Sequence, residues 1–181
     1  MNSQAYVAFL RGINVGRAKR IAMADLRVLA EGLGYTGVRS LLNSGNLVFR
    51  AEGGTAQELA QAIEEALVLK LGVAARVFVL DREELKAIVE GNPLLGVATD
   101  HARLIVFLLG AATQRDKLAA LDGRDWGCEQ LALGERAAYV WCPEGMLDST
   151  AATALGKLLG DGTTSRNWNT LLKLHTLCGE A

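Results

Sequence analysis

Few residues of this chain belong to the types that hold metals, form disulfides or cross membranes. Its 181 residues include two histidines, three cysteines and two prolines. His101 and His175 stand far apart, no His-Glu-x-x-His motif occurs, and nothing beside either histidine suggests a metal set. Cys128, Cys142 and Cys178 lack metal-type spacing and form an odd set, so they read as buried free thiols of a cytoplasmic protein. The longest apolar run, Leu104–Leu109, is far too short to span a bilayer, and no membrane association is expected. No basic segment followed by an apolar stretch opens the chain, so no secretory signal is expected. Charged residues make up 22% and hydrophobic ones 50%, a balance that excludes a disordered chain and predicts a compact core.

Several enzyme signatures are missing too. There is no Gly-x-x-x-x-Gly-Lys-Ser/Thr phosphate loop, and Gly160-Asp161-Gly162 is too short for a dinucleotide fingerprint. Ser44 lacks the flanks of a nucleophile elbow. Glu64-Glu65 and Glu83-Glu84 fall on helix surfaces and read as solvated faces, not as an acid/base pair. No cofactor is implied.

What is present begins with charge. The formal net charge of −1 conceals an asymmetry, because residues 1–50 hold seven Lys/Arg against two Asp/Glu, and residues 51–100 hold four against nine. Arg11, Arg17, Lys19 and Arg20 concentrate the basic excess in one loop with no acid among them. Such a loop attracts anionic partners, but it is too small for a general nucleic-acid face.

Periodicity supplies the elements. Ala5–Arg11, Val38–Leu42, Leu47–Arg50 and Ala75–Leu80 read as strands, and Met23–Leu33 and Thr55–Leu71 as helices. Thr55 with Glu58 forms a capping box, and Gly72 stops the second helix. Residues 1–80 therefore read β-α-β-β-α-β. A connecting helix is expected over 81–94, opened by Asp81 with Glu84 and closed by Gly91-Asn92-Pro93. Residues 95–181 read β-α-β-β-α-α, with Ser165–Cys178 as the final helix. The expected class is α+β, with two tandem ferredoxin-like halves, the second ending in a helix where its last strand would stand.

In such a plait the first two strands run parallel with the third between them. The loop after strand one then meets the turn after strand two, bringing Arg11, Gly12 and Asn14 beside Asn43, Ser44 and Asn46. A second polar segment, Thr163 to Thr170, is expected to open the last helix. Free N–H groups there, with Ser165 and the forked cation of Arg166, suit phosphate or carboxylate. Asn167 and Asn169 are poor helix residues and need local partners. Capping by Thr164 or Ser165, packing by Trp168 and clamping of the loops are the structural alternatives.

The segment Tyr6-Val7-Ala8-Phe9-Leu10-Arg11-Gly12-Ile13-Asn14-Val15-Gly16, the helix start Met23-Ala24-Asp25-Leu26, the turn Asn43-Ser44-Gly45-Asn46 with Val48-Phe49, and Thr164-Ser165-Arg166-Asn167-Trp168-Asn169-Thr170 stand in a characteristic order. Together they resemble the bacterial domain of unknown function numbered sixteen ninety-seven over nearly the whole chain. Arg17 departs from the pattern, which has a second glycine there. The resemblance implies tandem ferredoxin-like halves and carries no activity, cofactor or catalytic residue.

The leading expectation is binding of a small anion, a nucleotide or phosphorylated metabolite, in a cleft formed by both halves. Its residues would be Arg11, Gly12, Asn14, Asn43, Ser44, Asn46, Ser165, Arg166, Asn167 and Asn169. The alternatives are a transferase or hydrolase using the same cleft and a protein-interaction module whose motifs are structural. RNA binding is disfavoured, because Tyr6 and Phe9 have opposite parity and both sheet faces read as apolar and covered.

Overall fold

Two four-stranded antiparallel sheets, each carrying its own helices, organise the chain. They are seen in a computed structural model that describes residues 2–17 and 20–181. Lys19, read above as part of the basic loop, lies outside the described residues. The chain divides into two compact units, one made of the residues up to Lys86 together with Leu174–Ala181, the other of Ala87–Lys173.

The first unit runs β1 (Ser3–Leu10), α1 (Met23–Gly32), β2 (Thr36–Ser40), β3 (Asn46–Glu52), α2 (Ala56–Ala66), β4 (Val77–Asp81) and the start of α3 (Arg82–Glu90). Its strand order is β2-β3-β1-β4, with every neighbouring pair antiparallel. On one face Ala8, Leu10, Leu47, Phe49 and Val79 pack against Leu26, Leu29 and Ala30 of α1 and Leu59 and Ile63 of α2. Phe49 stacks on Tyr6 and on Tyr35, with ring centroids 5.7 and 4.5 Å away. The other parity, Val7, Phe9, Val48, Phe78 and Leu80, is also buried. In this unit the end of the chain closes on the sheet, with Glu180 3.4 Å from Arg39 and the Ala181 oxygen accepting from Arg50 Nη1 at 2.6 Å.

Caps form where the sequence places them. Thr55 and Glu58 exchange side-chain to backbone hydrogen bonds of 2.8 and 3.2 Å, and Asp81 and Glu84 do the same at 2.9 and 2.8 Å. The final turn of the expected second helix differs, because Leu67–Leu71 winds as a π turn before Gly72 in the left-handed conformation. The wider turn keeps Leu67 and Leu71 against the core, while Leu69 projects to solvent.

The second unit contains β5 (Leu104–Leu109), α4 (Thr113–Lys117), β6 (Gln130–Leu133), β7 (Ala137–Trp141), α5 (Thr150–Leu159) and β8 (Thr163–Asn167), and it leads into α6 (Trp168–Glu180). Its order, β6-β7-β5-β8, repeats that of the first sheet. Ile105, Phe107 and Leu109 pack with Val140, Leu118, Leu155 and Leu159 to form its core.

Here the sequence expectation is corrected. Thr163–Asn167 is a strand and not the first turn of the last helix. Thr163 pairs with Leu109, Ser165 with Phe107 and Asn167 with Ile105. A buried β5 needs partners for the backbone on both its edges, and two β-branched threonines suit the extended chain that supplies them. The second unit therefore keeps its fourth strand, and α6 follows it.

Candidate functional site

Strand β3 lies between β1 and β2, so the segments after β1 and β2 emerge at one end of the first sheet. Backbone bonds tie them together. Leu10 N donates to Gly45 O at 2.9 Å, and Leu41 N donates to Asn46 O at 3.0 Å. Gly45 is required twice over. Its φ is +90°, and a Cβ there would lie 2.8 Å from Ile13 Cδ1 and 2.9 Å from Leu10 Cβ.

Side chains complete the junction. Asn14 takes φ 55°. Its amide nitrogen donates to Ile21 O at 2.9 Å and to Asn43 O at 2.7 Å, and its Oδ1 accepts from Ile21 N at 2.7 Å. The buried Asn46 donates to Leu41 O at 2.8 Å and to Ser44 Oγ at 3.0 Å. These two asparagines spend their polar groups on shaping loops. What they hold in place is a display of cations. Arg11, Arg17 and Arg20 are exposed, and Arg20 Nη1 donates to Asn14 O at 2.7 Å.

The sheet adds a cation that sequence reasoning missed. Arg11 N donates to Arg76 O at 2.9 Å, one step past the last β1–β4 pair, so two arginines stand opposite each other. Like charges placed so are mutually destabilising. Glu64, 3.8 Å from Arg76 Nε, offsets part of this charge. Only strand pairing brings positions 11 and 76 together, and no spacing in the sequence signals it. Of the expected residues, Arg11, Gly12, Asn14, Asn43, Ser44 and Asn46 thus gather at this end of the first unit.

The remaining four lie in the second unit. Ser165, Arg166 and Asn167 are on β8, and Asn169 is exposed in the first turn of α6. Ser165 is therefore not part of a helix N-terminus. The cap of α6 is Asn167, whose Oδ1 accepts from Thr170 N at 2.9 Å, in place of the expected Thr164 or Ser165. Trp168 is buried. Arg166 Nη1 donates to Thr164 Oγ1 at 2.8 Å and to Ser165 O at 2.7 Å. Burial lowers its pKa to about 10, which leaves it a cation at neutral pH. Arg166, Val106 and Tyr139 form one row across β8, β5 and β7. Tyr139 donates to Ile88 O at 2.6 Å, and burial pushes it up to about 12.

Glu129, a second residue missed by sequence reasoning, occupies the N-terminus of α5. It accepts from Ser149 Oγ and, at 2.8 Å, from Thr150 N. A helix end of the kind that binds anions is here filled by the chain's own carboxylate. Among the described residues no group of His, Cys, Asp and Glu could hold a metal, and no helix is long and apolar enough to cross a membrane.

Comparison with known proteins finds a matching family and a similar solved structure. The family described as "Protein of unknown function (DUF1697)" matches residues 3–139. The structure of conserved bacterial protein SP0830 from Streptococcus pneumoniae is similar, with a TM-score of 0.80 and 25% identity, over 98% of this chain and 99% of that one. No curated protein sequence matches significantly.

Proposed function

The chain belongs to the DUF1697 family of proteins of unknown function, and from that premise we propose that it binds a small anionic ligand, a nucleotide or phosphorylated metabolite. The observation that carries this reading is the cationic end of the first sheet. Arg11 and Arg76 stand opposite each other there, with Arg17 and Arg20 exposed on the adjoining loop. An anion at this end offsets their shared positive field, and guanidinium forks suit phosphate oxygens. Gly12, at φ +70° with open space beside it, lets a ligand approach the backbone closely. Asn43 and Ser44 lie at the rim, while Asn14 and Asn46 hold the loops in shape. Considered by itself, the second unit carries a cation at Arg166 on β8 and an exposed amide at Asn169 in the first turn of α6. The strand order of both sheets and the β-α-β-β-α-β succession of each unit support the ferredoxin-like reading.

Thermal melting against inorganic phosphate, nucleotides and sugar phosphates tests the proposal. A ligand at a hundred times its Kd stabilises by about 2.7 kcal/mol. The expected result is a rise in Tm for the wild type that Arg11→Ala abolishes. No rise with any of these anions overturns the reading.

A further inference from the structure

The same end of the first sheet carries two apolar side chains that anion binding leaves unused. Val15 and Leu42 are 64% and 54% exposed. Each adjoins one partner of the 2.7 Å hydrogen bond between Asn14 and Asn43, which fixes the two loops side by side. Leu42 also takes φ +61°, a left-handed conformation that asparagine or glycine adopts far more cheaply than leucine. A strained leucine is thus held out in solvent, beside a loop with three exposed arginines and, from Arg11 to Arg20, no acid.

We propose that this end of the first unit docks on an anionic lipid surface, which replaces the expectation of no membrane association, since a short apolar run excludes spanning a bilayer and not resting on one. The arginines take phosphate-bearing headgroups, while Val15 and Leu42 enter the layer between headgroups and acyl chains. The inference rests on the anion-binding reading and names the source of the phosphate. Charge complementarity selects an anionic surface. The protruding groups are aliphatic and offer nucleic-acid bases no ring on which to stack, which favours lipid over a single strand. A cavity of about 150 Å³ lined by Tyr35, Arg50 and Glu52 lies at the opposite end of the sheet, so the apolar groups serve a surface and not that pocket.

Cosedimentation of the full chain with vesicles tests this. Binding is expected to vesicles of equal phosphatidylglycerol and phosphatidylcholine and not to phosphatidylcholine alone. Arg17→Ala should lower partitioning about fivefold. Val15→Ser and Leu42→Asn should each lower it without lowering Tm, since Leu42→Asn relieves the backbone. Failure to bind the mixed vesicles, equal binding to both vesicle types, or binding indifferent to Val15→Ser and Leu42→Asn overturns the inference. So does preference for a single-stranded oligonucleotide over the mixed vesicles. If phosphate or a nucleotide raises Tm in an Arg11-dependent way while vesicles fail to bind, the lipid inference falls and the anion reading stands. If neither soluble anions nor vesicles bind, both fall.

Discussion

A single missing Cβ fixes the geometry of the cationic end. Gly45 combines positive φ with contacts that leave no room for a methyl group. Gly45→Ala is therefore expected to cost about 2–4 kcal/mol, from the left-handed backbone and the overpacking of Ile13 and Leu10 together. Urea unfolding measures it, and a cost under about 0.5 kcal/mol would show that the loop relaxes freely. Two groups of the second unit, the buried Tyr139 and the half-buried Arg166, pull against each other at alkaline pH. The hydroxyl of Tyr139 titrates at 10 in the unfolded chain and at about 12 in the folded one. Between those values the unfolded chain has lost a proton that the folded chain keeps, so stability falls as pH rises. Arg166 goes the other way. Its folded value of about 10 lies below the ordinary 12.5, so the unfolded chain binds the extra proton over that range and stability rises with pH. Removing Tyr139 as a titrating group leaves only the rising contribution of this pair. Tyr139→Phe should thus lose less stability than the wild type between pH 10 and 12, as followed by urea midpoints. Equal pH slopes for the two proteins would contradict the burial of that hydroxyl.

At the scale of elements, legibility in the sequence followed the range of the interaction. Capping boxes are local, and Thr55 with Glu58 and Asp81 with Glu84 both form as their spacing predicts. The meeting of the β1 loop with the β2–β3 turn was legible too, because the strand order of the plait dictates it. Strand β8 was not. Thr163–Asn167 has a polar composition that reads as a helix start, and only the open edge of β5, more than fifty residues earlier, makes it a strand. The misplaced cap followed from that error, since Asn167 becomes the N-cap only when the preceding residues are extended. Two of the expected ligand residues, Asn14 and Asn46, turned out to be loop clamps, a distinction visible only in hydrogen-bond partners. The capping of α5 was hidden for the same reason, because Glu129 reaches Thr150 across twenty-one residues. Glu129→Ala leaves the first N–H groups of α5 without their carboxylate and is expected to cost about 1–2 kcal/mol. Differential scanning calorimetry should show a lower Tm, and Glu129→Gln should recover part of the loss.

The whole chain is threaded so that its last residues belong to the unit its first residues build. Leu174 and Cys178 are buried, Glu180 pairs with Arg39, and the Ala181 oxygen accepts from Arg50, a residue that also donates to Ser3. The first unit is therefore incomplete until α6 has been made. Ending the chain after Lys173 removes buried Leu174, worth about 1.5–3 kcal/mol, with a smaller contribution from buried Cys178, and leaves Arg50 without one acceptor. That loss is a large fraction of the stability of many single domains. Hydrogen exchange locates the effect where a global melt does not. Amides of β1 and β3, central in the first sheet, should exchange orders of magnitude faster in the truncated chain. Unchanged protection there would mean that α6 merely rests on a sheet already stable without it.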